Sequence, residues 1–203
     1  MSGPHEQLEH AEHAEHAAHS NKRIALLIAF LALGLAFSET LGKSAQTTGI
    51  TDNIKASDTW AFFQAKTIRQ TTLRTAAQAL MVELPSVENE PQKVAMTKQV
   101  DDWQKTVARY ESEPETNEGR KELMARAQAA EHDRDLALAK YHQYEFASAA
   151  YQIGIVLASS AVITGMLALA YAAGGLGILG IAFTALGLFA PNALHLLSAG
   201  GGH

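Results

Sequence analysis

The chain of 203 residues contains no cysteine, and this absence excludes several kinds of chemistry at once. Disulfide bonds, CxxC redox motifs, thiolate zinc sites and cysteine nucleophiles all require that side chain. Five prolines and 15 glycines are too few for a disordered or collagen-like chain. The 16 basic residues are outnumbered by 21 acidic ones, so the net charge is −5 and no basic surface favours nucleic acid.

Charge is nearly absent from three stretches, and these predict membrane-spanning helices. Residues 24–41 contain one charged residue and directly follow Lys22 and Arg23. A helix of 18 residues is about 27 Å long, enough to cross the bilayer core. Residues 153–173 and 176–190 contain no charge, and the apolar pattern continues to Leu197. Because only Gly174 and Gly175 separate them, the sequence predicts a transmembrane hairpin over residues 153–197, followed by a short tail at 198–203.

Other interpretations of these stretches are weaker. The first also has the charged and apolar regions of a cleaved signal peptide, but its polar leader of 22 residues is long and no cleavage site follows it. A buried soluble hairpin usually shows a polar face, and residues 153–197 show none. No Asp, Glu, Lys or Arg follows Glu145, which argues against proton pumping and secondary transport.

Small residues at helical spacing mark the predicted hairpin. Gly154 is followed by Ala158, and Ala161 by Gly165. Such spacing lets helix backbones approach closely in lipid. We expect these residues to pack the spans of one chain together, or to form a contact between subunits.

The polar middle, residues 42–152, is predicted to be a helical stalk with breaks near 85–91 and 112–119. No stretch alternates apolar and polar residues, so we predict an all-α fold without β-sheet. The expected helices are about 20–84, 92–112, 118–173 and 176–197, the long ones forming an antiparallel stalk. Residues spaced by four and three form an apolar seam on the second helix: Met96, Val100, Trp103, Val107 and Tyr110. Tyr141, Tyr144 and Tyr151 fit an aromatic belt at the membrane surface.

The first 22 residues form a leader rich in histidine and glutamate. Residues 9–19 read EHAEHAEHAAH, which places His10, His13, His16 and His19 at every third position. Neighbouring imidazoles and carboxylates on a helix can bind a divalent metal weakly. The simplest interpretation is an amphipathic surface helix. A metal site and a pH-dependent charge at the membrane are the alternatives, and no other cofactor is expected.

Residues 55–66 read KASDTWAFFQAK, and this segment resembles the signature of DUF4337, a family of bacterial membrane proteins of unknown function. The likeness covers roughly residues 5–197 and includes the order of leader, span, signature helix, charged region and C-terminal hairpin. The resemblance implies a location in the bacterial inner membrane and no known activity.

The signature lies too far from the first span to anchor the chain at the membrane surface. Counting from Leu41, Trp60 is about 28 Å along the helix. We expect such residues to pack against a neighbouring helix, within the chain or between subunits. The candidate packing and oligomer residues are Trp60, Ala61, Phe63, Gln64, Trp103, Gly154 and Gly165.

Basic residues near the spans favour two opposite orientations. By number, Lys43, Lys55, Arg134 and Lys140 on the stalk side outweigh Lys22 and Arg23. By position, Lys22 and Arg23 directly before the first span favour a cytoplasmic N-terminus, as the family resemblance also does. We therefore predict a cytoplasmic leader and a periplasmic stalk.

The sequence favours a non-enzymatic, homo-oligomeric membrane scaffold. The reason is the long predicted stalk, whose apolar stripes are narrow and rich in alanine. Self-association would cover these stripes. A channel component with a hydrophobic gate is one alternative, and a metal- or pH-responsive protein acting through the leader is another. No nucleophile elbow, P-loop or HExxH motif indicates an enzyme. The lipid bilayer and further copies of the chain are the expected partners.

Overall fold

The computed structural model describes residues 4–193, with side chains from residue 22 onward. Four α-helices account for almost all of this part of the chain, and no strand occurs in it. They are α1 (Pro4–Glu83), α2 (Glu90–Glu111), α3 (Arg120–Thr164) and α4 (Leu167–Phe189), with a short 3₁₀ turn at Leu84–Ser86. The prediction of an all-α fold is confirmed. Helices α1, α3 and α4 are each long and apolar enough to cross a membrane.

Local signals explain where the helices begin and end. Pro85 lacks the amide hydrogen that α1 would need to continue. Asn89 starts α2, since its side chain accepts a hydrogen bond of 3.2 Å from the backbone N–H of Gln92. At the end of α3, Gly165 has φ +73°, and its N–H donates to the Ala161 carbonyl at 2.9 Å. This left-handed conformation is easily adopted by glycine and stops the helix.

The position of this last turn corrects the predicted hairpin. We expected the third helix to continue to residue 173 and the turn to lie at Gly174 and Gly175. Instead, both glycines lie inside α4, and the turn is at Gly165 and Met166. Glycine is tolerated within a membrane helix, so Gly174 and Gly175 did not have to form a break.

The chain folds into two compact units. Unit 1 consists of Met1–Thr48 and Leu136–His203, and unit 2 of Gly49–Asp135. Unit 1 therefore contains the apolar parts of α1 and α3 together with α4. Unit 2 contains the polar part of α1, the whole of α2 and the first part of α3.

The core of unit 1 is built mainly from alanine, glycine and a few large side chains. Leu31 of α1 is fully buried, and the buried residues of α3 and α4 around it include Tyr151, Ala158 and Ala173. Leu31 touches both other helices, because a Cβ on Gly154 would lie 3.2 Å from it and a Cβ on Gly177 2.8 Å. The three helices thus pack with their backbones close together.

The inward face of α1 follows a seven-residue repeat. Two sets of positions, each with a step of seven, are buried or half-buried. They are Ile24, Leu31, Ser38, Ala45, Asp52, Thr59, Lys66, Leu73 and Leu80, and Ile28, Leu35, Gly42, Gly49, Ala56, Phe63, Gln70 and Ala77. This is the spacing of a coiled-coil seam. Its residues are apolar near the start of α1 but largely small or polar from Ser38 onward.

Candidate functional site

The most polar part of the interior of unit 2 surrounds Lys66 of α1, whose side chain is only 7% exposed. Its Nζ lies 3.5 Å from Glu113 Oε2 and 3.8 Å from Glu118 Oε2. The same nitrogen lies 5.4 Å from the centre of the Phe62 ring and 5.5 Å from that of Tyr110. Carboxylates and aromatic faces both stabilise a cation that is largely removed from water. Lys66 therefore joins α1 to the end of α2 and to the loop after it.

One helical turn further along α1, Gln70 is almost fully buried and uses both ends of its amide. Its Nε2 donates to the Val107 carbonyl at 3.1 Å and to Glu111 Oε2 at 3.0 Å. Its Oε1 accepts a hydrogen bond of 2.7 Å from Arg120 Nη1. Arg120 Nη1 also lies 2.7 Å from Glu111 Oε2, and Arg120 Nε donates to the Thr67 hydroxyl at 2.9 Å. These bonds connect α1, α2 and the start of α3.

We call these residues the polar cluster: Lys66, Gln70, Glu111, Glu113, Glu118 and Arg120. The hydrogen bond from Gln70 is the main reason why the pKa of the Glu111 carboxyl lies below its ordinary value of 4.5. Partial burial of Glu111 acts in the opposite direction, and the charge of Arg120 adds to the lowering. Glu111 is therefore held as a carboxylate, the form that Arg120 binds best.

The loop between α2 and α3 is fixed by Glu122. Ser112 Oγ donates to Glu122 Oε1 at 2.6 Å, and the Glu113 N–H donates to Oε2 at 3.2 Å. The bond from Ser112 is the main cause that lowers the pKa of Glu122. Gly119 allows this close approach, because a Cβ there would contact the Glu122 carboxylate and the Glu113 nitrogen. The loop is thus held in position for Glu113 to meet Lys66.

Trp60 and Phe63 of the signature helix also turn towards the interior of unit 2. Trp60 Nε1 donates a 2.9 Å hydrogen bond to Glu131 Oε1 of α3. The Trp60 and Phe63 rings meet edge to face at 5.4 Å, and the Arg120 guanidinium lies 5.2 Å from the Phe63 centroid. Ala61 and Gln64 are exposed on the other side of the helix. The four signature residues predicted to act together therefore divide between two faces.

Trp103, the predicted packing residue of α2, is half-buried, and the other residues of the apolar seam of α2 are buried or half-buried as well. Val100 is 4% exposed, and Met96, Val107 and Tyr110 are half-buried. The seam thus faces the interior of unit 2, and the opposite side of α2 carries its charged residues.

In unit 1, two tyrosines fill spaces left by glycines. The Tyr151 ring lies between two helices, with a Cβ on Gly180 placed 2.6 Å from it and a Cβ on Gly34 2.8 Å. Tyr144 likewise lies 2.6 Å from a Cβ built on Gly187. The two side chains are 3% and 4% exposed, respectively. The prediction that they belong to an interfacial aromatic belt is therefore wrong, since both rings are knobs inside the bundle.

The two glycines proposed for packing have different roles. Gly154 is buried within the chain, where Leu31 and the Ala173 carbonyl surround it. Gly165 is exposed in the turn, with no described atom within 4 Å of a Cβ placed there. The interpretation of Gly165 as a helix-face residue is wrong, because its positive φ ends α3 instead.

The predicted metal ligands His10, His13, His16 and His19 belong to α1, but their side chains lie outside the described residues. Across residues 22–193, no three His, Asp or Glu side chains are grouped so that they could hold a metal ion.

Sequence reasoning missed the polar cluster. A buried lysine and glutamine are rare in a seam, so hydropathy assigns Lys66 and Gln70 to the solvent. The sequence did contain one signal, a seven-residue repeat of inward positions. The repeat that starts at Ile24 reaches Lys66, and the parallel repeat four residues later reaches Gln70.

Comparisons with known proteins give a family and no characterised relative. No curated protein and no solved structure matches the chain. The model of one family, a domain of unknown function (DUF4337), matches residues 20–190. That range includes the signature helix, the polar cluster and the three apolar helices. The chain therefore belongs to the DUF4337 family.

Proposed function

We propose that this protein is a non-enzymatic, homo-oligomeric scaffold integral to the bacterial inner membrane. Unit 1 holds three membrane spans, and unit 2 is a rigid extramembrane stalk. The observation that carries the proposal is the use of the signature helix. Trp60, Lys66 and Gln70 bind Glu131, Glu113 and Glu111 of the same chain. These side chains build a stiff helical unit, which is what a scaffold requires.

The packing of unit 1 supports the same proposal. Its interior consists mainly of alanine, glycine, leucine and tyrosine, with a 2.9 Å hydrogen bond between the Ser38 and Thr184 hydroxyls. Gln143, which is 3% exposed, donates to the Pro191 carbonyl at 3.2 Å.

Ser160 and Thr164 of α3 carry hydroxyls that a pore could use, and they donate to carbonyls of their own helix at 2.9 and 2.8 Å. No Asp, Glu, Lys or Arg follows Glu145, so the apolar parts of α3 and α4 offer no charged ring to select an ion, and we prefer the scaffold over a channel.

Self-association is the first test of the proposal. We expect the full-length protein in native-lipid nanodiscs to have a mass of several copies of its 21.8 kDa chain. Native mass spectrometry over a range of dilutions measures this directly. If the mass is that of one chain at every dilution, including the least dilute sample at the concentration found in the membrane, the proposal is contradicted.

The orientation is the second test, and it uses the absence of cysteine. We propose a cytoplasmic leader and a periplasmic stalk, because Lys22 and Arg23 directly precede the first span. Glu88→Cys is exposed between α1 and α2 and spares the cap residue Asn89. Met166 lies in the turn between α3 and α4 and is 57% exposed, so we choose Met166→Cys as the second labelling site.

We expect a membrane-impermeant maleimide to label Glu88→Cys in cells whose outer membrane alone is permeable. Met166→Cys should react only after the inner membrane is opened, since the two spans that precede this turn return the chain to the leader side. The reverse pattern of labelling means that the stalk is cytoplasmic.

A further inference from the structure

The side of α1 that faces away from the interior of unit 2 has an unusual composition. Between residues 50 and 82 this outer face is formed by Ile50, Ile54, Ser57, Ala61, Gln64, Ala65, Ile68, Thr72, Thr75, Ala79 and Val82. All eleven residues are exposed, and none is charged. Ile68 is 67% exposed and Val82 81%. The face spans 33 residues, or about 48 Å of helix.

The charges of this part of α1 all lie elsewhere on the helix. At 100° per residue, Asp58 and Arg69 are nearest to the outer face, and they lie about 75° and 95° from its centre, respectively. The remaining charges, Asp52, Lys55 and Arg74, lie still further round, and Lys66 is buried. A helix side that only meets water normally carries charge, so the outer face has the composition of a contact surface.

Helix α2 of the same unit provides the comparison. Its exposed side carries Lys98, Asp101, Asp102, Lys105 and Arg109. That mixture of charges is typical of a solvated helix. Both helices are exposed to a similar extent in one chain, so the lack of charge on α1 is specific to its outer face.

We propose that the outer face of α1 is the surface through which copies of this chain associate in parallel. The inference rests on the proposed membrane scaffold and names its contact. Copies inserted in one direction meet in parallel around an axis along the membrane normal. In a two-fold pair the face meets itself, and Ile68 of one copy lies opposite the same residue of the other.

The chemistry of the face fits a second copy of itself. An uncharged surface offers no ionic complement to an acidic or basic partner. Ala61 and Ala65 allow close approach of two helices, while Ile50, Ile54 and Ile68 supply apolar area. Protein interfaces bury roughly 800 Å² per partner with 20–30 residues a side. By the same ratio the eleven residues of the face give roughly 300–440 Å² per copy, a contact that relies on the high local concentration of chains anchored in one membrane.

The test places charges on this face in the full-length protein. Ala61→Glu with Ile68→Glu buries like charges at the contact, and we expect the oligomer fraction in native-lipid nanodiscs to fall at least about tenfold. The control, Lys98→Glu with Lys105→Glu, places the same two carboxylates on the exposed side of α2 and changes the net charge by more, −4 against −2. We expect native mass spectrometry to find the control as oligomeric as the wild type.

A cysteine pair tests the face independently of any effect on folding. In native membranes under mild oxidation, Ile68→Cys is expected to form a disulfide-linked dimer, because the chain has no other cysteine. Lys98→Cys is expected to remain monomeric on a non-reducing gel.

The outcomes separate the face from the scaffold. An oligomeric wild type whose Ala61→Glu, Ile68→Glu variant stays oligomeric, or whose Lys98→Cys rather than Ile68→Cys crosslinks, overturns the assignment of the face alone. A monomeric wild type overturns the scaffold as well.

Discussion

Replacing Lys66 with alanine is expected to lower the free energy of unfolding of unit 2 by about 3 kcal/mol. The substitution removes three methylenes whose burial contributes about 0.8 kcal/mol each. It also leaves the Glu113 carboxylate, whose side chain is 22% exposed, without its nearest cation. Glu113 keeps the pair with Arg109, a 60% exposed side chain whose Nε lies 3.7 Å from Oε1. Because an exposed cation compensates a partly buried charge only weakly, the effect should exceed that of the lost apolar area.

Both tryptophans of the chain, Trp60 and Trp103, belong to unit 2, and their fluorescence reports its unfolding. Urea titration of the full-length protein in detergent then gives the midpoint for each variant. Lys55→Ala is the matched control, because Lys55 is exposed on the same helix. We expect the control to change the stability by less than about 0.5 kcal/mol. Equal midpoints for Lys66→Ala and Lys55→Ala show that the polar cluster does not stabilise the unit.

Replacing Gly180 with valine is expected to destabilise unit 1 by about 2–3 kcal/mol. The Cβ alone would lie 2.6 Å from the Tyr151 ring. That ring cannot simply move aside, since it also packs against Gly34 on another helix, where a built Cβ would lie 2.8 Å from it. Helices α1 and α4 must therefore separate or the tyrosine must leave its site, and both changes lose packing.

The matched control for this substitution lies in the same helix. Gly175→Val adds the same side chain to α4, and no described atom lies within 4 Å of its Cβ. We expect Gly175→Val to unfold at nearly the same SDS concentration as the wild type when unfolding is followed by circular dichroism. Tyr151→Ala in the Gly180→Val background should recover part of the loss, because the two changes share one space. Additive destabilisation by the two changes would indicate that the ring and the glycine do not touch.

The helical class could be predicted because its signals are local. Proline and polar turn residues occur at 85–91 and 112–119, and the structure has α1 ending at Glu83 and α2 at Glu111. The apolar seam of α2 is regular enough to identify its inward side from Met96 to Tyr110. Length and hydropathy suffice to identify three helices able to cross a membrane.

The candidate site could be predicted only in part. The signature KASDTWAFFQAK identified a packing helix, but it did not separate Trp60 and Phe63 from Ala61 and Gln64. Aromatic and small residues are equally compatible with a contact inside the chain or outside it. Hydropathy also gave no reason to place Lys66 inside, because its burial depends on carboxylates far away in sequence.

By itself, the sequence determined the helical class, the three apolar segments and the family. Only the tertiary structure decided which glycine ends α3. Gly165 and the pair Gly174 and Gly175 are all permissive, and lipid does not penalise glycine within a helix. The turn at Gly165 places Gly177, Gly180 and Gly187 of α4 against Leu31, Tyr151 and Tyr144. A turn nine residues later would lose this fit, so the matching of knobs and spaces on three helices selects the turn.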